Sequence, residues 1–219
     1  MRTYTTLFFD FDGTLFDTSE GVFHSFDYVV DFYRLNVPDK SVYNTMIGPP
    51  LLESFSRVFH FEGQQLQDAI AKYREYYTDK GMFECCVYDG VVPLIEQLRA
   101  AGKHIVVATS KPEVYAKQIL QRKNMLHLFD FVGGSDLEEQ VRVHKVDIIN
   151  YVLQSQGIAE KTSCLMIGDT RFDIEGAQKA GLDSLGILWG FGTKESLEHA
   201  GATYIAASPP EAGRLLLGR

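Results

Sequence analysis

Residues 7–18 read LFFDFDGTLFDT. Three apolar residues run into Asp10, one phenylalanine separates it from Asp12, and Gly13 and Thr14 lead to a second apolar pair. A short continuous apolar run suits a strand covered on both faces of a sheet. On extended backbone, side chains two apart point to the same side, so Asp10 and Asp12 would project together where the strand ends. In an open α/β sheet the carboxyl ends of the strands are where ligands sit. The question is what else in the chain ends the same way.

Similar apolar runs occur at residues 5–9, 104–108, 131–132, 163–167 and 184–188, with helical patterns between them at 112–123, 145–156, 172–180 and 194–200. A last pair, 203–206 and 210–217, repeats the order in miniature. Strand–helix alternation predicts an α/β fold with a doubly wound parallel sheet and right-handed crossovers. Residues 19–84 break the rhythm. They carry no strand pattern but three amphipathic stretches, 20–35, 51–59 and 64–80, interrupted by IGPPL at 47–51, where glycine and two prolines must break a helix. The chain is expected to return to the sheet near residues 86–92. The expected division is therefore a core of residues 1–16 and 85–219, with a helical domain of residues 17–84 inserted after the first strand. No internal repeat is visible.

Two further strand ends are polar. One carries Thr109, Ser110 and Lys111, the other Asp169 and Asp173. Three such ends in one sheet converge on one crevice. There the carboxylates of Asp10, Asp12 and Asp169, with Asp173 close by, would repel: two like charges about 4 Å apart cost about 4 kcal/mol at an effective dielectric of about 20. Such a cluster needs a cation or a proton. All-oxygen ligands without His or Cys select a hard ion, Mg²⁺ before Zn²⁺. Mg²⁺ favours phosphate-bearing substrates, and the hydroxyls of Thr109 and Ser110, the amides around Asp12 and Gly13, and a lysine would complete a phosphate cradle. Lys111 and Lys145 compete for that last place. Lys145 is preferred because it opens a predicted helix, whose positive end also favours an anion; for Lys111 a solvated surface position is weighed evenly.

Composition narrows the class. The chain has 219 residues, 45% hydrophobic and 23% charged, with a net charge of −8. No Lys/Arg cluster marks a nucleic-acid footprint, and the acidic balance disfavours anionic membranes. No apolar run is long enough to span a bilayer, and the first residues, with one arginine and a short run ending at Asp10, do not form a secretory leader. Three cysteines, Cys85, Cys86 and Cys164, give neither a disulfide framework nor a zinc pattern. Reduced thiols in a cytoplasmic protein are the expectation.

DFDGTLFDT, the strand ending in Thr109–Ser110, Lys145 and GDTRFD together resemble the four motifs of the haloacid dehalogenase-like (HAD) hydrolases, in the same order, from residue 7 to 173. The helical insert, IGPPL and TSKPE resemble the phosphoglycolate phosphatase-like branch with its helical cap; Ser110 stands where that branch more often has asparagine. The resemblance implies a phosphoric monoester hydrolase. Asp10 would be the nucleophile that becomes an aspartyl-phosphate, and Asp12 the acid and then the base. Mg²⁺ would be held by Asp10, the Asp12 carbonyl and Asp169. Thr109 and Lys145, with Ser110 and Gly13, would bind the phosphoryl group, and Asp173 would orient Lys145 or a metal-bound water. A cap implies small phosphorylated metabolites as substrates, with neither a nucleic-acid polymer nor a membrane as partner, for a monomer or homodimer. Which phosphomonoester it is stays open between phosphoglycolate, a nucleoside 5'-monophosphate and a sugar phosphate.

Plainer roles suit other residues. Asp17 suits a helix cap. His144 suits the surface, Trp189 the core. Arg171 stays open between substrate and a neighbouring acid, and residues 48–50 between a simple connection and a loop facing the site. The runner-up activity is a phosphomutase of the β-phosphoglucomutase type. A receiver-like module ranks third, because receivers lack the second acid of DxD and the large insert.

Overall fold

In the computed structural model, which describes residues 2–138 and 140–218, the apolar run before Asp10 is β1 (Thr6–Phe9), buried throughout. The short β2 (Phe16–Asp17) leads into α1 (Ser19–Tyr33), a 3₁₀ segment at Lys40–Met46, α2 (Leu51–Phe59) and α3 (Gly63–Asp79). The chain returns through β3 (Cys86–Val87) and continues as α4 (Val91–Ala100), β4 (His104–Pro112), α5 (Glu113–Arg122), β5 (Phe131–Ser135), α6 (Lys145–Ser155), β6 (Cys164–Gly168), α7 (Arg171–Ala180), β7 (Asp183–Ile187), α8 (Lys194–His199), β8 (Tyr204–Ala206) and α9 (Pro209–Leu217).

Six strands form one parallel sheet in the order β5-β4-β1-β6-β7-β8, and β2 pairs with β3 in a separate ribbon. Phe9 of β1 is level with Val107 of β4 and Ile167 of β6. Asp10 thus leaves the sheet level with Ala108 and Gly168, one residue before Thr109 and Asp169. The core on one face joins Phe8, Val106, Ala108 and Met166 of the sheet to Ile148, Ile149 and Val152 of α6 and Ala177 of α7. Among the described residues no helix is long and apolar enough to cross a membrane.

The chain forms two compact units: the residues up to Phe16 with those from Val87 onward, and Asp17–Cys86. The return to the sheet unit lies two residues later than the division at residue 85. The helical unit has a core of its own, in which Phe26 packs against Tyr43, Phe55 and Tyr73 at centroid distances of 5.2, 5.8 and 5.3 Å.

Two elements differ from the sequence reading. Residues 86–92 were expected to rejoin the sheet; instead β3 is two residues long and Val91 already begins α4. The run VVPLIEQL looks strand-like because of its valines, but Val91, Leu94, Ile95 and Leu98 are buried at helical spacing. Pro93 falls in the first turn, where a missing N–H costs nothing. Second, β4 extends to Pro112, with a register shift against β5 between Thr109 and Pro112. That irregularity re-aims the backbone at Ser110 and Lys111, as bulges beside functional sites do.

Candidate active site

Asp10 continues the ladder beyond β1, its N–H donating to Ile167 O at 2.9 Å, and its side chain is buried. Asp169 follows β6 and is fully buried. Asp173, also fully buried, lies in the first turn of α7, where its Oδ2 accepts from the N–H and the hydroxyl of Thr170, each at 3.0 Å. This is a capping box that fixes the Asp173 side chain.

Lys145 is the first residue of α6 and is buried. Its Nζ lies 2.6 Å from Asp10 Oδ1, 2.7 Å from Asp173 Oδ1 and 3.2 Å from the Ala108 carbonyl. An ammonium has three protons, and here three acceptors surround it. The aliphatic stem runs against Gly176 of α7, where a Cβ would stand 2.7 Å from both Cβ and Cγ of Lys145. Only a glycine there allows the approach.

One ammonium faces three acids. Carboxylate oxygens of Asp10, Asp169 and Asp173 all lie within 4.8 Å of one another. Burial, reinforced by Asp173 and opposed by Lys145, pushes the Asp10 carboxyl up to about 7. Burial, with Asp173 and Asp10, raises Asp169 well above the carboxylate range. For Lys145 burial works against the charge, but Asp10 and Asp173 outweigh it and hold the ammonium above its ordinary value. Such a set is short of positive charge. A hard divalent cation fits it in donor type and in sign.

The two lysines divide the acids between them. Asp12 Oδ1 is 3.1 Å from Lys111 Nζ, and both side chains are largely buried. Lys111 is therefore not the solvated surface lysine that the sequence allowed. The hydroxyl of Thr109, at the edge of the cluster beside Ala108, accepts the Lys111 N–H at 3.1 Å. Ser110 is half-buried. The N–H of Gly13, expected to face a phosphate, instead donates to Phe16 O at 2.8 Å and closes the turn after Asp12. With φ at +77°, Gly13 serves the turn's geometry.

Three residues near the acids were not read from the sequence as part of the site. Thr14 donates its hydroxyl to Asp169 Oδ1 at 3.1 Å, and the Phe191 N–H reaches Asp169 Oδ2 at 2.8 Å. Trp189, expected in the core, is half-buried and donates its indole N–H to Thr14 O at 3.1 Å. The signal available was WGFG at 189–192, a glycine-punctuated loop after a strand in the same sheet.

Other residues take plainer places. Asp17 Oδ1 accepts from the N–H and the hydroxyl of Ser19 at the start of α1. His144 is exposed and caps α6 together with Asp147. Arg171 is exposed, 3.7 Å from Glu175. Cys85 and Cys164 are buried thiols and Cys86 an exposed one.

The model of the haloacid dehalogenase-like hydrolases matches residues 7–187. The chain belongs to that family. It is 35% identical over 204 residues to a 5'-nucleotidase of Pseudomonas aeruginosa, covering 93% of this chain and 91% of the other. A crystal structure described as a predicted phosphatase from Clostridium acetobutylicum superposes with a TM-score of 0.94 at 40% identity, each chain covered completely. A third relative, the tyrosine-protein kinase PtkA of Mycobacterium tuberculosis, is 31% identical over 90% of this chain, which spans 66% of that protein's length. Among HAD-like hydrolases, this one is a phosphatase.

Proposed function

We propose that this HAD-like hydrolase is a Mg²⁺-dependent phosphatase of small phosphomonoesters, working through a phosphorylated Asp10. The observation that carries this reading is the Lys145 ammonium held between Asp10 and Asp173 in a buried cluster of three acids. Asp10 Oδ1 is bound by Lys145, which leaves Oδ2 as the attacking atom. In the first half-reaction Asp10 attacks phosphorus, the P–O bond to the alcohol breaks, and Asp12 gives the departing oxygen its proton. In the second, Asp12 takes a proton from water, which attacks phosphorus and releases Asp10 and phosphate. Lys111 keeps Asp12 at the pocket, and Thr109 and Lys145 bind the equatorial oxygens where transition-state charge gathers.

The Asp10 carboxylate, the Asp12 carbonyl and Asp169 would hold Mg²⁺. Bound there, the ion shields the nucleophile from the dianion that it attacks. Asp173 fixes Lys145. The likeness to a 5'-nucleotidase makes nucleoside 5'-monophosphates the first substrates to try, and 2-phosphoglycolate the second.

The test is phosphate release from p-nitrophenyl phosphate. Asp10→Asn should lower turnover by at least about three orders of magnitude without unfolding the protein, since it removes the nucleophile. In EDTA the wild type should be inactive, and Mg²⁺ should restore it. Near-wild-type turnover by the variant would remove Asp10 from the chemistry; full activity in chelator would remove the metal.

A further inference from the structure

Asp169 has neighbours on both of its oxygens, and they come from two distant parts of the chain. Thr14 Oγ1 donates to Oδ1 at 3.1 Å, and the Phe191 N–H donates to Oδ2 at 2.8 Å. The donors are themselves joined, because the Trp189 indole N–H binds the Thr14 carbonyl at 3.1 Å. The closeness is steric as well as polar. A Cβ on Gly190 would stand 2.2 Å from the Gly13 carbonyl and 2.5 Å from Asp169 Oδ2, and one on Gly13 would stand 2.1 Å from the same Oδ2. Two turns, 13–14 after β1 and 189–192 after β7, thus close on one carboxylate with no room for a side chain between them.

We infer that the Trp189–Gly192 loop and Thr14 are positioning residues for the metal, acting together as a clamp that sets the rotation of the Asp169 carboxylate. This rests on the reading of Asp169 as a metal ligand. Each carboxylate oxygen has two lone pairs, and each spends one on the clamp. The second lone pair on each oxygen is then aimed in a fixed direction, within reach of the Asp10 and Asp173 carboxylates. A buried carboxylate without these donors could swing about its χ angles, and its repulsion from Asp10 and Asp173 would turn it away. Partners one step behind a metal ligand typically change metal affinity by roughly 10–100-fold when removed. The two donors act on Asp169 rather than on Asp12, the acid and base, so their effect falls on metal affinity before turnover.

The experiment is Mn²⁺ binding by the full chain, followed through the electron paramagnetic resonance signal of free Mn²⁺, with no substrate present. Thr14→Val keeps the shape and removes the hydroxyl; Thr14→Ser keeps the hydroxyl. The expected result is a Kd raised about ten-fold in Thr14→Val and returned to within about two-fold of wild type in Thr14→Ser. In phosphatase assays Thr14→Val should need more Mg²⁺ for half-maximal rate, while the rate at saturating Mg²⁺ falls much less. A Thr14→Val protein that is folded and binds Mn²⁺ as wild type does would overturn the clamp, and so would a Thr14→Ser protein as weak as Thr14→Val. Should Thr14→Val fail to fold, Trp189→Phe, which removes the indole N–H together with part of the ring, makes the comparison: a raised Kd supports the clamp, an unchanged one overturns it. A wild type that binds no Mn²⁺ brings down the metal reading itself, and the clamp with it.

Discussion

Asp10 is the residue where folding and function pull in opposite directions. Its carboxyl stands at about 7 against an ordinary 3.8, because burial and Asp173 outweigh the help of Lys145. A raised folded-state value means that the metal-free folded protein binds more protons than the unfolded chain. The stability this contributes is complete below pH about 4 and is lost as pH rises through about 7. At pH 7.5 the ionised Asp10 therefore costs stability. Metal-free Asp10→Asn should then be more stable than wild type at pH 7.5, on the order of 1–2 kcal/mol, the gain being held down because Lys145 loses one of its two carboxylates. At pH 4.5 both proteins carry a neutral side chain there, and the gap should close. Thermal unfolding in EDTA at the two pH values measures this, and equal stabilities at pH 7.5 would refute it. Asp10 was legible because it ends an apolar run, and so was Asp169. The partner of Lys111 was not, because its 3.1 Å approach to Asp12 joins residues some hundred positions apart, which no local pattern announces.

At the scale of elements, the site depends on how α6 and α7 approach each other. Lys145 enters the cluster from the first turn of α6, and its stem crosses Gly176 of α7. Gly176→Ala places a methyl 2.7 Å from two carbons of that stem, so the stem or the helix must move. In an open helix, Gly→Ala would stabilise by up to about 1 kcal/mol. Here the clash offsets that gain, and the displaced ammonium is the larger consequence. Misplacing a catalytic group by about 1 Å can cost on the order of 100-fold in rate. Gly176→Ala should therefore lose between about ten- and a hundred-fold in kcat, with only a small change in Tm, and wild-type kcat would show that the contact is slack. Helices α6 and α7 were readable from their periodicity. β5 was cut short in the sequence, since Gly133 and Gly134 hide a strand whose packing has no space for side chains: a Cβ on Gly133 would stand 2.4 Å from Val152. Residues 86–92 were expected back at the sheet, whereas Val91 begins α4, whose helical spacing of buried residues only the structure discloses.

The whole molecule consists of two units with separate cores, and the sequence announced the insert by sixty-odd residues without a strand pattern. It did not fix the return point, because β3 is defined by pairing with β2, some seventy positions earlier. Two cores predict two responses to damage. Phe26 is fully buried in the helical unit among Tyr43, Phe55 and Tyr73; Met166 is fully buried in the sheet unit beside Phe8 and α6. Phe26→Ala should cost about 3–5 kcal/mol and Met166→Ala about 2–5 kcal/mol by the cavities they leave. The informative quantity is where the loss appears. Native-state hydrogen exchange reports local opening free energies element by element. After Phe26→Ala, protection should fall in α1 and α3 while the amides of β1, β4 and β6 keep theirs; after Met166→Ala the strands should lose protection first. If either substitution lowered both sets equally, the chain would unfold as one cooperative unit, and the phosphatase core could not keep its carboxylates in place while its helical insert opens.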